Sequence, residues 1–115
     1  ERLMTPATVF QLPDGTLSGF DCRGHADFAD AGEDIVCAAV SALTQGTLNG
    51  LLNVLKAPVA YKINEKDGVL TASLGDVPEN KRAGAQLLLK TLVSALQMIE
   101  ADYARHIRVI FKERR

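Results

Sequence analysis

Hydrophobic and polar positions change period several times along the chain, and each change marks an element. Thr8 to Leu12 alternates as a short strand, Pro13-Asp14-Gly15 forms a turn, and Thr16 to Arg23 reads as a second strand closing a hairpin. Gly24 to Gly32 is a polar loop of small residues. The period then lengthens. Val36, Val40, Leu43, Thr47 and Leu51 recur every three or four residues, with Leu48, Leu52 and Leu55 widening the stripe, which predicts a helix from Glu33 to Leu55. Pro58 ends it, and Gly46 and Gly50 within it cost about 1 kcal/mol each against Ala unless packing requires them.

Val59 to Asn64 and Val69 to Leu74 read as two more strands. Between them, Glu65 to Gly68 contains an Asp-Gly pair, a strong hairpin signal. Asn80 to Tyr103 is a second helix with Leu88, Leu92, Ala95, Leu96 and Ile99 as its apolar face. His106 to Lys112 is a last strand in which Ile107, Val109 and Phe111 alternate with Arg108, Ile110 and Lys112. The expected fold is α+β in the order β-β-α-β-β-α-β: a single-layer, mostly antiparallel sheet with two helices on one face, filling residues 1–115 as one domain.

Composition adds exclusions. At 115 residues and 47% hydrophobic content, the chain is long enough and apolar enough for a core that needs neither disulfide nor metal. The net charge of −1 leaves no global attraction to nucleic acid or anionic membrane, and basic residues are not interleaved with aromatics. No run is read as long enough to span a bilayer. Glu1 to Pro6 carry no signal-peptide pattern, and two cysteines are too few for a secreted disulfide scaffold, so a cytoplasmic setting with reduced thiols is the default. Phosphate-binding glycine motifs are absent and no cofactor is expected.

The chemistry-bearing run is Gly24-His25-Ala26, then Gly32, Asp34, Cys37-Ala38 and Ser41. It sets a histidine at the end of a strand and a cysteine in the first turns of a helix, joined by a loop. A thiolate is the nucleophile in cysteine chemistry, and a helix N-terminus and a neighbouring imidazolium both favour it. A Cys–His pair of this kind attacks carbonyls, and backbone N–H groups at the helix start are available to an oxyanion. Asp34, one turn before Cys37, has two readings: it orients the histidine, or it is a carboxylate favoured by the helix dipole. Ser41, one turn after Cys37, lines a cleft or bonds back to a carbonyl. Plainer readings stand beside these. A lone helical cysteine is most often a small core residue, a loop histidine is most often a surface residue, and glycines such as Gly24 and Gly32 are most often turn residues.

The same run resembles the ribosomal-processing cysteine protease family, Prp, including the twelve positions between His25 and Cys37, and the likeness extends over essentially the whole chain. The resemblance implies a cysteine endopeptidase with Cys37 as nucleophile, His25 as general base, and Gly24, Gly32, Asp34 and Ser41 as supporting residues. It further implies a homodimer whose substrate is the short N-terminal extension of large-subunit ribosomal protein twenty-seven. The residues between His25 and Gly32 would then close as a lid over the peptide. Three other functions compete: a non-enzymatic ribosome-associated binding module, a redox pair of Cys22 and Cys37, and a zinc site built from Cys22, His25, Cys37 and His106. The zinc spacing matches no usual ribbon, and no metal is expected.

Overall fold

The computed structural model describes residues 5–23, 31–66 and 68–114. Its elements run β1 (Thr5–Gln11), β2 (Leu17–Arg23), α1 (Ala31–Asn49), a π-helical turn (Gly50–Val54), β3 (Val59–Asn64), β4 (Val69–Leu74), α2 (Glu79–Asp102) and β5 (Ile107–Glu113). The strands form one sheet in the order β3-β4-β2-β1-β5. Three of the four pairings are antiparallel, and β1 pairs β5 in parallel, so the sheet is mixed. The parallel pair follows from connectivity. Strand β5 arrives after a helix and not after a hairpin, so it can lie alongside β1 in the same direction.

One face of the sheet carries the core. Thr5, Ala7 and Val9 alternate inward on β1, and register brings Ala7 beside Cys22 and Val9 beside Phe20. On the far side of β2, Cys22 meets Leu70 and Phe20 meets Ala72, while Ile107 stands beside Thr5. All of these are buried beneath α1 and α2. Strand β1 therefore begins at Thr5, three residues before the predicted start. The inward alternation already includes Thr5 and Ala7, but proline at position 6 masks it in the sequence. The β1–β2 turn is made by Gly15, whose φ of 90° lies where glycine is favoured, and the Asp14 carboxylate accepts from the Thr16 N–H at 2.9 Å.

Helix α1 buries Val36, Val40, Thr44 and Leu48, and the π turn continues the stripe with Leu51. The stripe passes through Thr44, so Leu43 and Thr47 lie at its margin, half-buried. The Thr44 hydroxyl donates to the Val40 carbonyl at 2.8 Å, which satisfies it inside the apolar layer. The segment Ile35–Val54 is long and apolar enough to cross a membrane, which corrects the reading that no run is. That apolar character is what the core uses, since Val36, Val40, Leu48 and Leu51 pack against the sheet and α2. Helix α2 buries Ala85, Leu89, Leu92 and Leu96. Leu88, expected on the apolar face, packs at the margin of the core against Gly50, where an added Cβ would meet its methyl groups at 3.3 Å. Gln86 ties α2 to the sheet by both donating to and accepting from the Leu17 backbone, at 2.7 and 2.9 Å.

Candidate functional site

The loop expected to hold Gly24 and His25, and to act as a lid, lies outside the described residues. Gly32 and Asp34 fall in the first turn of α1, which begins at Ala31 and not at Glu33. Gly32 is therefore a helical residue and not a loop residue. The choice between the two readings of Asp34 lies outside the described side chains.

Cys37 is the seventh residue of α1. The earlier start of the helix moves it into the second turn, so its own N–H belongs to the helical ladder. The unsatisfied N–H groups of the helix start lie one turn before it. Help from the dipole falls off within the first turn, so a thiolate here leans chiefly on whatever base approaches it. The side chain points toward the sheet and is 9% exposed. Its Sγ lies 3.7 Å from the Oγ1 of Thr5, within hydrogen-bond distance for sulfur. Thr5 is itself buried, and its N–H donates to the His106 carbonyl at 2.7 Å. The start of β1, the start of β5 and the second turn of α1 thus meet at one corner. Placing the strand start at Thr8 hid Thr5 from the sequence reading.

Ser41 is exposed one turn further along α1. It borders a cleft of about 280 Å³ between α1 and the β3–β4 hairpin, with Cys22, Val40 and Leu70 at the bottom. Thr44, Gln45, Asn64 and Glu65 line the same cleft, and Cys37 is not among its lining residues. The Ser41 carbonyl also accepts from the Thr44 hydroxyl at 3.3 Å.

Cys22 and Cys37 are both free thiols. Burial, together with the nearby Asp21 charge, pushes the Cys22 thiol up to about 12, so it stays protonated and unreactive at neutral pH. That chemistry suits a core thiol and not a redox partner. Among the described residues no group of three or more His, Cys, Asp and Glu side chains could hold a metal.

Residues 4–108 match the family model of the cysteine protease Prp. The chain is 32% identical over 107 residues to the ribosomal processing cysteine protease Prp of Bacillus subtilis, covering 92% of this chain and 96% of that one. It is 30% identical over 99 residues to the protein of the same name from Staphylococcus aureus, covering 86% and 91%. The crystal structure of the essential ribosomal processing protease Prp from S. aureus with a substrate peptide superimposes with a TM-score of 0.83 at 27% identity, over 95% of this chain and all of that one. The same enzyme with a covalently linked product peptide gives 0.80 at 28% identity, with the same coverage.

Proposed function

The chain belongs to the cysteine protease Prp family, and from that premise we propose that it is an endopeptidase acting through Cys37 and His25. Its substrate in this reading is the N-terminal extension of large-subunit ribosomal protein twenty-seven, removed during ribosome maturation. The observation that carries the reading is the placement of Cys37 at a three-element corner, one helical turn from a cleft that Ser41 borders. A relative crystallised with a substrate peptide, and again with a covalently linked product peptide, supports it.

The chemistry proceeds in two halves. His25 takes the proton from the Cys37 thiol, and Sγ forms a bond to the carbonyl carbon of the scissile peptide. The C–N bond breaks as the His25 imidazolium returns its proton to the departing amine. The result is a thioester between Cys37 and the extension, and the amine end is the new N-terminus of the ribosomal protein. Water, deprotonated by His25, then attacks the thioester carbonyl. The C–S bond breaks, and the thiol regains its proton. Thr5 contributes by positioning, since its hydroxyl lies 3.7 Å from Sγ and favours one orientation of the side chain. Two further parts of the reading have their own supports. A cytoplasmic setting agrees with two free thiols, and a homodimer agrees with an exposed apolar stripe on α2.

The test is cleavage of a peptide spanning the extension junction of the cognate ribosomal protein. Wild type should cut it once, at the junction. Cys37→Ala and His25→Ala should each lose at least about a thousandfold in kcat/KM, the scale expected when nucleophile or base is removed. His106→Ala should stay within about threefold, because in this reading the second histidine has no proton to move. Equal loss in the two histidine variants would reassign the base. No cleavage by folded wild-type protein would favour the non-enzymatic binding module.

A further inference from the structure

We propose that the cleft where the first turns of α2 meet the start of β2 and the end of β4 is a binding site for a small amphipathic carboxylate, an apolar body carrying one carboxylate group. The site takes no part in the peptidase reading and stands without it. It closes the end of the sheet opposite Cys37. The Cys37 corner is built at Thr5, and the cleft begins at Leu12, just past the other end of β1, which is roughly 20 Å away at the rise of a strand.

The cleft holds about 360 Å³, within the usual range for small-molecule sites. Its wall is apolar: Leu17, Val77 and Ala85 are buried in it, with Leu12 and Leu74 beside them. Gln86 also lines it, but its amide is engaged at both ends with the Leu17 backbone, so it is a fixed part of the wall and not a ligand. Charge enters on two arginines, Arg82 from α2 and Arg114 from the residue after β5. Each is held in place from outside the cleft. The Arg82 Nε donates to the Val77 carbonyl at 2.9 Å, which leaves its two Nη groups. The Arg114 guanidinium carbon lies 3.9 Å from the centroid of the Phe10 ring, and its backbone N–H donates to the Gln11 carbonyl at 2.8 Å. Among the described residues neither guanidinium pairs with a carboxylate.

Two positioned guanidiniums beside an apolar cleft define the occupant. A guanidinium edge grips a carboxylate through two parallel hydrogen bonds. The apolar wall gains nothing from a bare inorganic anion but buries the hydrocarbon of an organic one. Asp76 lines the cleft as well, so two guanidiniums against one carboxylate leave one unit of positive charge. That balance suits a monoanion, whereas a phosphate dianion would meet Asp76 as a like charge. The matching chemistry has two sources: a free carboxylic acid with an apolar body, and the C-terminal carboxylate of a peptide ending in an apolar residue.

The test is a titration of the isotope-labelled full chain followed by NMR, with hydrocinnamate as the probe. Hydrocinnamate should shift the backbone amides of Ser73, Gly75 and Val77 with a Kd of about 1 mM or tighter, and leave the Cys37 amide unmoved. Hydrocinnamamide keeps the apolar body and loses the charge, so it should bind at least about tenfold more weakly, and phenyl phosphate should also bind more weakly than hydrocinnamate. Arg82→Gln and Arg114→Gln should each weaken hydrocinnamate about tenfold with circular dichroism unchanged. If either variant fails to fold, the comparison of acid with amide on wild type still decides. The two sources separate with N-acetyl-leucyl-phenylalanine. Binding about tenfold tighter than hydrocinnamate assigns a peptide C-terminus, and equal or weaker binding assigns a free acid. Shifts absent at about 10 mM hydrocinnamate, equal binding of acid and amide, tighter binding of phenyl phosphate, or wild-type affinity in both folded arginine variants would each overturn the site.

Discussion

Cys22 and Cys37 are both buried, and the surroundings of Cys22 give it the chemistry of a core thiol. Cys22 is enclosed by strands on both sides and by the Asp21 charge, so its ionised form has neither water nor counter-ion. Its thiol holds a proton in the folded state up to about pH 12, whereas an unfolded thiol releases it near pH 9. The sign of the consequence follows from proton counting. Between those values the native protein binds more protons than the unfolded chain, so stability falls as pH rises through that window. Urea unfolding at pH 9 and at pH 10.5 should show wild type losing about 1.5 kcal/mol more than Cys22→Ala over the interval. Equal losses in the two proteins would mean that Cys22 is more solvated than its burial indicates. The measurement also bears on function, since a thiol that stays protonated to high pH cannot act as resolving partner to Cys37.

The end of the first helix shows how far an element can be read from its residues. Gly50–Val54 widens into a π turn, with the Leu55 N–H donating to the Gly50 carbonyl at 2.8 Å. The Ala57 N–H closes back on the Leu51 carbonyl at 2.8 Å, and Lys56 between them takes φ = 58°. That left-handed conformation costs an L-residue about 1–2 kcal/mol, and glycine recovers most of it less its own chain entropy. Lys56→Gly should therefore stabilise the protein by about 0.5 kcal/mol, seen as a rise of about 2 °C in thermal midpoint by calorimetry. A fall would show that the lysine side chain contributes more than its backbone loses. Nothing in the sequence marks this turn, because the usual glycine signal for a helix end is missing. Strands β3 and β4, by contrast, were legible to the residue, bounded as they are by Pro58, the Asp-Gly turn and Gly75. The order of elements was legible for the same reason: each change of period is flanked by turn residues. The parallel pairing of β1 with β5 was not, since strand direction across a sheet depends on contacts distant in sequence. Residue types and spacing singled out the run from His25 to Ser41 as the candidate site, and of its named residues the structure describes the side chains of Cys37 and Ser41. Thr5 could not be singled out, because only the folded sheet brings it beside Cys37.

At the scale of the whole molecule, the question is which surface a second copy would cover. Helix α2 has 24 residues and is about 36 Å long, yet it is buried along one side only, through Ala85, Leu89, Leu92 and Leu96. On its outer side Leu87, Thr91, Ser94 and Met98 follow at steps of four, three and four, which keeps them on one stripe. Leu87 is 67% exposed and Met98 69%, and Thr91, Ser94 and Met98 line a shallow groove with Lys90 and Ala95. Small residues between two large apolar ones form a surface that can match itself across a two-fold axis, with Leu87 of one copy near Met98 of the other in an antiparallel crossing. Sedimentation of wild type at micromolar concentration should then give twice the 12.4 kDa chain mass. Leu87→Glu combined with Met98→Glu should return it to the single-chain mass, since the two-fold repeats each carboxylate and buries four without partners. Circular dichroism should not change, because both side chains are exposed in one chain and neither enters its core. A dimer that survives the double substitution would exclude this stripe. The exposed Tyr61–Ile63 edge would then be the next apolar surface to test.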